Sequence, residues 1–147
     1  IRQPASQSPV EARDLVPGLA FARAARAARA QRFAVVSSLG ASPRSPNFYS
    51  RIKGEMEAAV AGLGFDNLVI ARPSLLAGDR ASLGQPHRRG EKLALWLSGP
   101  FAALLPKRVR PIHAATVARG MLAAMHQQRP GVRIVESGEL QELGIDR

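Results

Sequence analysis

Two short, unbroken apolar runs, Phe33-Ala-Val-Val36 and Leu68-Val-Ile-Ala71, leave this chain few ways to fold. Each is too short for a helix, and neither alternates with polar residues as a strand with one wet face does. Such runs suit strands of a parallel sheet covered on both faces. Between them, Ile52, Met56, Val60 and Leu63 fall in one arc when residues 49–63 are projected at about 100° per residue. The intervening segment therefore reads as an amphipathic helix, with Ser45 and Pro46 as its expected cap and first-turn proline. Glycines at 62 and 64 supply its stop. Strand (Phe33 to Ser37), crossover helix and strand make a right-handed βαβ unit. Ligands of such units bind outside the carboxyl ends of the strands. Ser37 and Ser38 lie at one such end, Arg72 and Pro73 at the next.

The helix carries an anomaly. Tyr49 and Lys53 fall inside the apolar arc, whereas Arg51, Glu55 and Glu57 fall outside it. On one helical face their β-carbons would lie roughly 5–6 Å apart. A lysine within an apolar stripe is costly unless something pairs with it. A plain reading is a hydrogen-bonded tyrosine beside a lysine whose stem lies along the apolar surface. A chemical reading is that hydride transfer at a carbonyl carbon requires a proton moved at the oxygen. Free tyrosine, with a pKa of about 10, is a poor base at neutral pH, and a nearby ammonium favours the phenolate. A serine hydroxyl can hold the substrate oxygen.

Four ordered segments sharpen that reading: Val36-Ser-Ser-Leu-Gly-Ala41, Asn47-Phe-Tyr-Ser-Arg-Ile-Lys-Gly-Glu-Met-Glu57, Arg72-Pro-Ser-Leu-Leu-Ala-Gly-Asp-Arg80 and Arg88-Arg-Gly-Glu91. Together they resemble the atypical short-chain dehydrogenases/reductases, in the NAD(P)H-binding branch that includes the Tat-interacting tumour-suppressor protein and bacterial relatives. The likeness runs from about Leu19 to Leu143. It implies an α/β, Rossmann-like, doubly wound parallel sheet and an NAD(P)-dependent oxidoreductase. Ser38, Tyr49 and Lys53 would be catalytic. Ser38 is preferred to Ser37 because the family's active serine directly precedes the residue leading into the glycine. The resemblance assigns cofactor contacts to Tyr49, Lys53, the backbone near Leu76, and Arg88; Ser37, Arg72 and Pro73 join them from their places at the carboxyl ends of the strands. The loop between Arg80 and Arg88 is longer than the family's usual run, and Arg89 follows directly, so that last register is open by one residue. The expected cofactor is NADP(H) or NAD(H), NADP(H) slightly favoured. The expected substrate is a small carbonyl or alcohol, and homo-oligomerisation is left open. The alternative is an NAD(P)H-binding regulatory or sensor protein with little turnover.

The fold also requires a strand, a glycine-rich turn and a helix whose amino end receives the pyrophosphate. No G-x-G-x-x-G or G-x-x-G-x-x-G occurs; Gly62-Leu-Gly64 lacks a third glycine and precedes a strand. Residues 14–147 are therefore expected to be the carboxyl-terminal portion of a single Rossmann-like domain, including its small substrate-side lobe. The glycine-rich βαβ portion would lie upstream.

Elsewhere the sequence is plainer. Residues 1–13 read as loop or disordered lead-in. Asp14 can cap a helix to about Ala30, with Pro17 in its first turn and Arg23, Arg26 and Arg29 outward. A loop is expected from Ser74 to Gly90, then a short helix from Glu91 to Leu97 with Trp96 inward. An extended piece spans Val109 to Ile112. An amphipathic helix from Thr116 to Gln127 packs through Val117, Met121, Leu122 and Met125. A strand from Val132 to Val135 and a short helix around Leu140, capped by Ser137, complete the chain. His87, His113 and His126 share no ligand spacing, so no metal site is expected. The net charge of +10 raises the reading of a nucleic-acid-binding module. One Trp and one Tyr, however, make no stacking platform for single strands, and Arg alternates with Ala. A solvated arginine face, whose field favours anionic ligands, is the better reading. The longest apolar stretch, Leu93 to Leu105, is broken by Ser98-Gly99-Pro100 and is too short to span a bilayer, so no membrane partner is expected. No secretory signal is evident, and the chain has no cysteine. Those two features lead to the expectation of a cytoplasmic protein.

Overall fold

A computed structural model describes residues 9–74, 76–77 and 106–145. In chain order the described elements are α1 (Pro9–Ala27), β1 (Arg32–Val36), α2 (Phe48–Ala61), β2 (Asn67–Arg72), β3 (Leu76–Ala77), β4 (Ile112–His113), α3 (Ala114–His126), β5 (Gly131–Glu136) and α4 (Ser137–Leu143). The sheet order is β1-β2-β5, every pairing parallel, and β3 and β4 form a separate parallel pair. The apolar run in β2 is explained by its central place: Asn67 to Ala71 are all buried. Leu68 and Ile70 join Ala22, Phe33, Met56, Val60 and Phe65 under α1 and α2. Val69 and Ala71 face the other way, onto Ile112, Val117, Ala124, Val135 and Leu140 beneath α3 and α4. Burying each large side chain here contributes about 1.5–3 kcal/mol, so one strand anchors both helical layers. The architecture is α/β and Rossmann-like.

Ile52, Met56 and Val60 are buried as their spacing demands. The strands sit where the apolar runs placed them, with ends shifted by a residue or two. Several local expectations need correction. α1 begins at Pro9, so residues 9–13 are helical rather than loop. Pro17 then lies about two turns inside the helix, where its missing N–H removes one i→i−4 hydrogen bond. The cap of α2 is Asn47, not Ser45: its side chain accepts from the Ser50 N–H at 3.1 Å. The Ser45 hydroxyl instead receives the Asn47 N–H at 3.2 Å. Ser137 is the first residue of α4 and not its cap, and its hydroxyl donates to Ser74 Oγ at 3.0 Å. Leu122 is exposed on α3 because Val117, Gly120 and Ala124 form the buried face. Arg26 turns inward: its Nε donates to the Leu63 carbonyl at 3.2 Å, with the guanidinium 6.0 Å from the Phe65 ring centroid. The expected loop after Ser74 includes the two-residue strand β3. The proposed Glu91–Leu97 helix and Trp96 fall outside the described residues.

The end of α1 has a measurable consequence. Ala30 N–H donates to the Ala25 carbonyl at 3.0 Å and Arg29 N–H to the Arg26 carbonyl at 2.9 Å. That is the paired hydrogen-bond pattern that closes a helix through one left-handed residue. The residue is Arg29, with φ of 62°, where glycine is normally free of the Cβ penalty. Arg29→Gly is therefore expected to stabilise the fold by about 0.5–1 kcal/mol, read as a rise in the urea midpoint at unchanged slope.

Candidate active site

The two serines follow β1 at its carboxyl end. Beyond the last ladder residue the main chain stays tied to the neighbouring strand. Ser37 N–H donates to the Ala71 carbonyl at 2.7 Å, and Leu39 N–H donates to the Pro73 carbonyl at 3.0 Å. Ser38 lies between these two bonds. The Oγ atoms of Ser37 and Ser38 are both buried, with no hydrogen-bond partner among the described residues. Buried hydroxyls of this kind are uncommon in native folds, and two side by side at a sheet's carboxyl end suit a polar ligand.

Tyr49 and Lys53 approach from α2. Lys53 is only 9% exposed, and its Nζ lies 5.7 Å from the centroid of the Tyr49 ring, within cation–π reach. The lysine thus occupies the buried stripe, as its place in the arc indicated. Tyr49 does not: it is 45% exposed. Tyr49 sits in the first turn of α2, whereas the buried residues of that helix begin at Ile52.

A connecting loop holds the serine side and the tyrosine side in register. Ser42 N–H donates to the Ser50 carbonyl at 3.0 Å, one residue from Tyr49. One turn further, Gly54 is buried against the same loop: a Cβ added there would lie 2.2 Å from the Ser42 carbonyl carbon and 2.4 Å from the Pro43 nitrogen. The loop backbone rests on α2 at the one position without a side chain. Nothing in composition or periodicity pointed to this glycine, which the resemblance carried only as a letter in a motif.

Arg72, expected at the cofactor, is occupied by protein groups. Its Nε and Nη2 donate to Glu57 Oε1 and Oε2 at 2.9 and 2.5 Å, and its Nη1 lies 3.6 Å from Glu136 Oε1. The hydrogen bond to Glu57 and the two carboxylate charges hold the guanidinium pKa above its ordinary value, against partial desolvation. Arg72 is therefore charged at any working pH. Glu57 is 6% exposed, although the helical projection put it outside the apolar arc. The signal for it was its spacing, four residues beyond Lys53 and eight beyond Tyr49. Pro73 is buried and offers its carbonyl to Leu39. Leu76 lies in β3, its backbone paired with Ile112. Arg88 falls outside the described residues.

The fold and this constellation define a Rossmann-like α/β protein with a polar site at the carboxyl ends of its first two described strands. No family model matches the chain. It is similar to Protein HTATIP2 of Rattus norvegicus, 36% identical over 132 residues, covering 87% of this chain and 51% of that protein. Protein FMP52-1, mitochondrial, of Scheffersomyces stipitis is 32% identical over 128 residues, covering 83% of this chain and 55% of that protein. Protein fmp52, mitochondrial, of Emericella nidulans is 41% identical over 81 residues, covering 55% of this chain and 33% of that protein. The chain thus spans about half the length of these relatives, or less. The matches support kinship with the HTATIP2 and FMP52 proteins. They overturn the cytoplasmic expectation, since FMP52 relatives are named mitochondrial. The physical reason is simple: lack of cysteine follows redox chemistry only loosely and encodes no address. Among the described residues, no helix is long and apolar enough to cross a membrane.

Proposed function

We propose that this chain is the catalytic portion of an NAD(P)-dependent oxidoreductase acting on a carbonyl or alcohol. One observation carries the reading: the Ser38 hydroxyl, buried and without a hydrogen-bond partner among the described residues, and the Tyr49–Lys53 pair are presented on elements meeting at the same end of a parallel sheet. A dinucleotide bound there supplies the hydride chemistry. Ser38 holds the substrate oxygen. Tyr49 gives that oxygen a proton during reduction and takes it back during oxidation. Lys53 keeps positive charge beside the phenol and reaches a ribose hydroxyl, and Ser37 offers a second hydroxyl to the sugar end. These residues suit the nicotinamide and ribose. The phosphates need a glycine-rich turn, which this sequence lacks, and we assign it to upstream sequence. The outer edge of β1, which has no strand partner among the described residues, is the natural place for that portion to add. The names of the FMP52 relatives support a mitochondrial setting.

The test uses the full-length product. Binding of NADPH and NADH is followed by nucleotide fluorescence, and turnover by absorbance loss with a panel of aldehydes and ketones. The expected result is binding of at least one dinucleotide and steady oxidation of it with at least one carbonyl. Binding without turnover across the panel would transfer the site to the sensor reading. Failure to bind either dinucleotide would remove both.

A further inference from the structure

Tyr49, Lys53 and Glu57 follow one another at four-residue intervals along α2. The third member is a buried carboxylate that grips Arg72 with both oxygens. Arg72 closes β2, and the residues on either side of it, Ala71 and Pro73, are those whose carbonyls receive Ser37 and Leu39. A short chain of rigid links therefore runs from the helix bearing Tyr49 and Lys53, through Glu57 and Arg72, across two main-chain hydrogen bonds, to the residues flanking Ser38. Glu136 steadies the guanidinium from β5.

Stability alone does not account for this pair. A buried ion pair costs desolvation that an apolar pair of similar volume avoids, and such replacements are often neutral or stabilising. α2 is already seated by Ile52, Met56 and Val60. A bidentate fork does what apolar contact does not: it fixes both distance and plane. We propose that Glu57 and Arg72 are a positioning pair that sets the separation between Ser38 and the Tyr49–Lys53 face. The role assigned to that separation rests on the oxidoreductase reading above.

The test compares wild type with Arg72→Lys, which keeps charge but loses the fork, and with the apolar double variant Glu57→Leu/Arg72→Met. All are made in the full-length product. Thermal midpoint, dinucleotide affinity, kcat and KM are measured. Tyr49 is the sole tyrosine of these 147 residues, and after 3-fluorotyrosine incorporation its fluorine resonance, assigned by its disappearance in Tyr49→Phe, reports its surroundings without any turnover. Both variants are expected to melt within about 4 °C of wild type, a difference on the order of 1 kcal/mol. They should keep dinucleotide affinity and KM, and lose kcat by roughly 10- to 100-fold, the scale of an ångström-sized misplacement. The fluorine line should shift, broaden or split in both. An unchanged fluorine line in both variants overturns the proposal whether or not wild type turns over. So does wild-type kcat in either variant, or a double variant that does not fold, which would make the pair a stability element. Wild type that binds dinucleotide without turnover defeats the enzyme reading alone, and the fluorine line still decides the positioning.

Discussion

Tyr49→Phe is expected to lower kcat by about 10²- to 10⁴-fold, the usual worth of a positioned proton donor, with dinucleotide affinity retained. The argument is one of isolation. The substitution removes a single hydroxyl from a ring that is 45% exposed in the first turn of α2, so stability should change by no more than about 0.5 kcal/mol. The ring itself stays, and with it the surface that Lys53 lies against. These 147 residues hold no second tyrosine and no cysteine to take over as proton carrier. Ser38, with an aliphatic hydroxyl, can orient an oxygen but is far too weak an acid to protonate it. Steady-state kinetics at saturating dinucleotide, beside a binding titration, separates the two quantities. Retained kcat would show that the proton comes from elsewhere and would remove Tyr49 from the chemistry.

Gly54→Ala should have the largest effect on the fold. The new methyl would need to occupy space 2.2 to 2.6 Å from three backbone atoms of Ser42 and Pro43. Flexible side-chain ends can move aside; a loop backbone next to a proline cannot do so cheaply. Overpacking of this kind costs about 1–3 kcal/mol, occasionally more, and the upper end applies because the obstacle is main chain. A loss of about 3 kcal/mol lowers the melting midpoint by roughly 6–12 °C for a domain of this size. Relief by retreat of the loop would break the Ser42–Ser50 hydrogen bond and part the serine side of the site from the tyrosine side. Stability and dinucleotide binding should therefore fall together. A well-folded Gly54→Ala protein with unaltered binding would mean the loop does not rest on α2 in solution.

Much of this molecule could be read from residue order, and the parts that could not share a cause. The runs at Phe33 and Leu68 announced a parallel sheet because burial on both faces leaves no polar alternation to confuse the reading. Lys53 stood out because it broke an apolar stripe, and the structure buries it. Glu57 was passed over because its partner, Arg72, lies fifteen residues away in sequence and on another element; periodicity sees one helix at a time. The partners of Arg72 were hidden for the same reason: its place at a strand end was visible, its pairing with two carboxylates was not. Gly54 left no trace, since a residue chosen for having no side chain contributes nothing to any pattern of side chains. At the amino end, Pro9 and Pro17 suggested a late helix start, but packing of α1 through Leu19, Ala22 and Ala25 onto the sheet outweighs local propensity. The measurements above test the roles given to Ser37, Ser38, Tyr49, Lys53, Arg72, Pro73, Leu76 and Arg88.

The bonds from Ser37 and Leu39 to the next strand run peptide to peptide, indifferent to which side chains surround them. Neighbouring side chains can therefore differ in size and polarity without dislodging the serine from its seat. Helix, loop and strand are joined instead at a few silent places, through a bare α-carbon at Gly54 and the matched acid and base of Glu57 and Arg72.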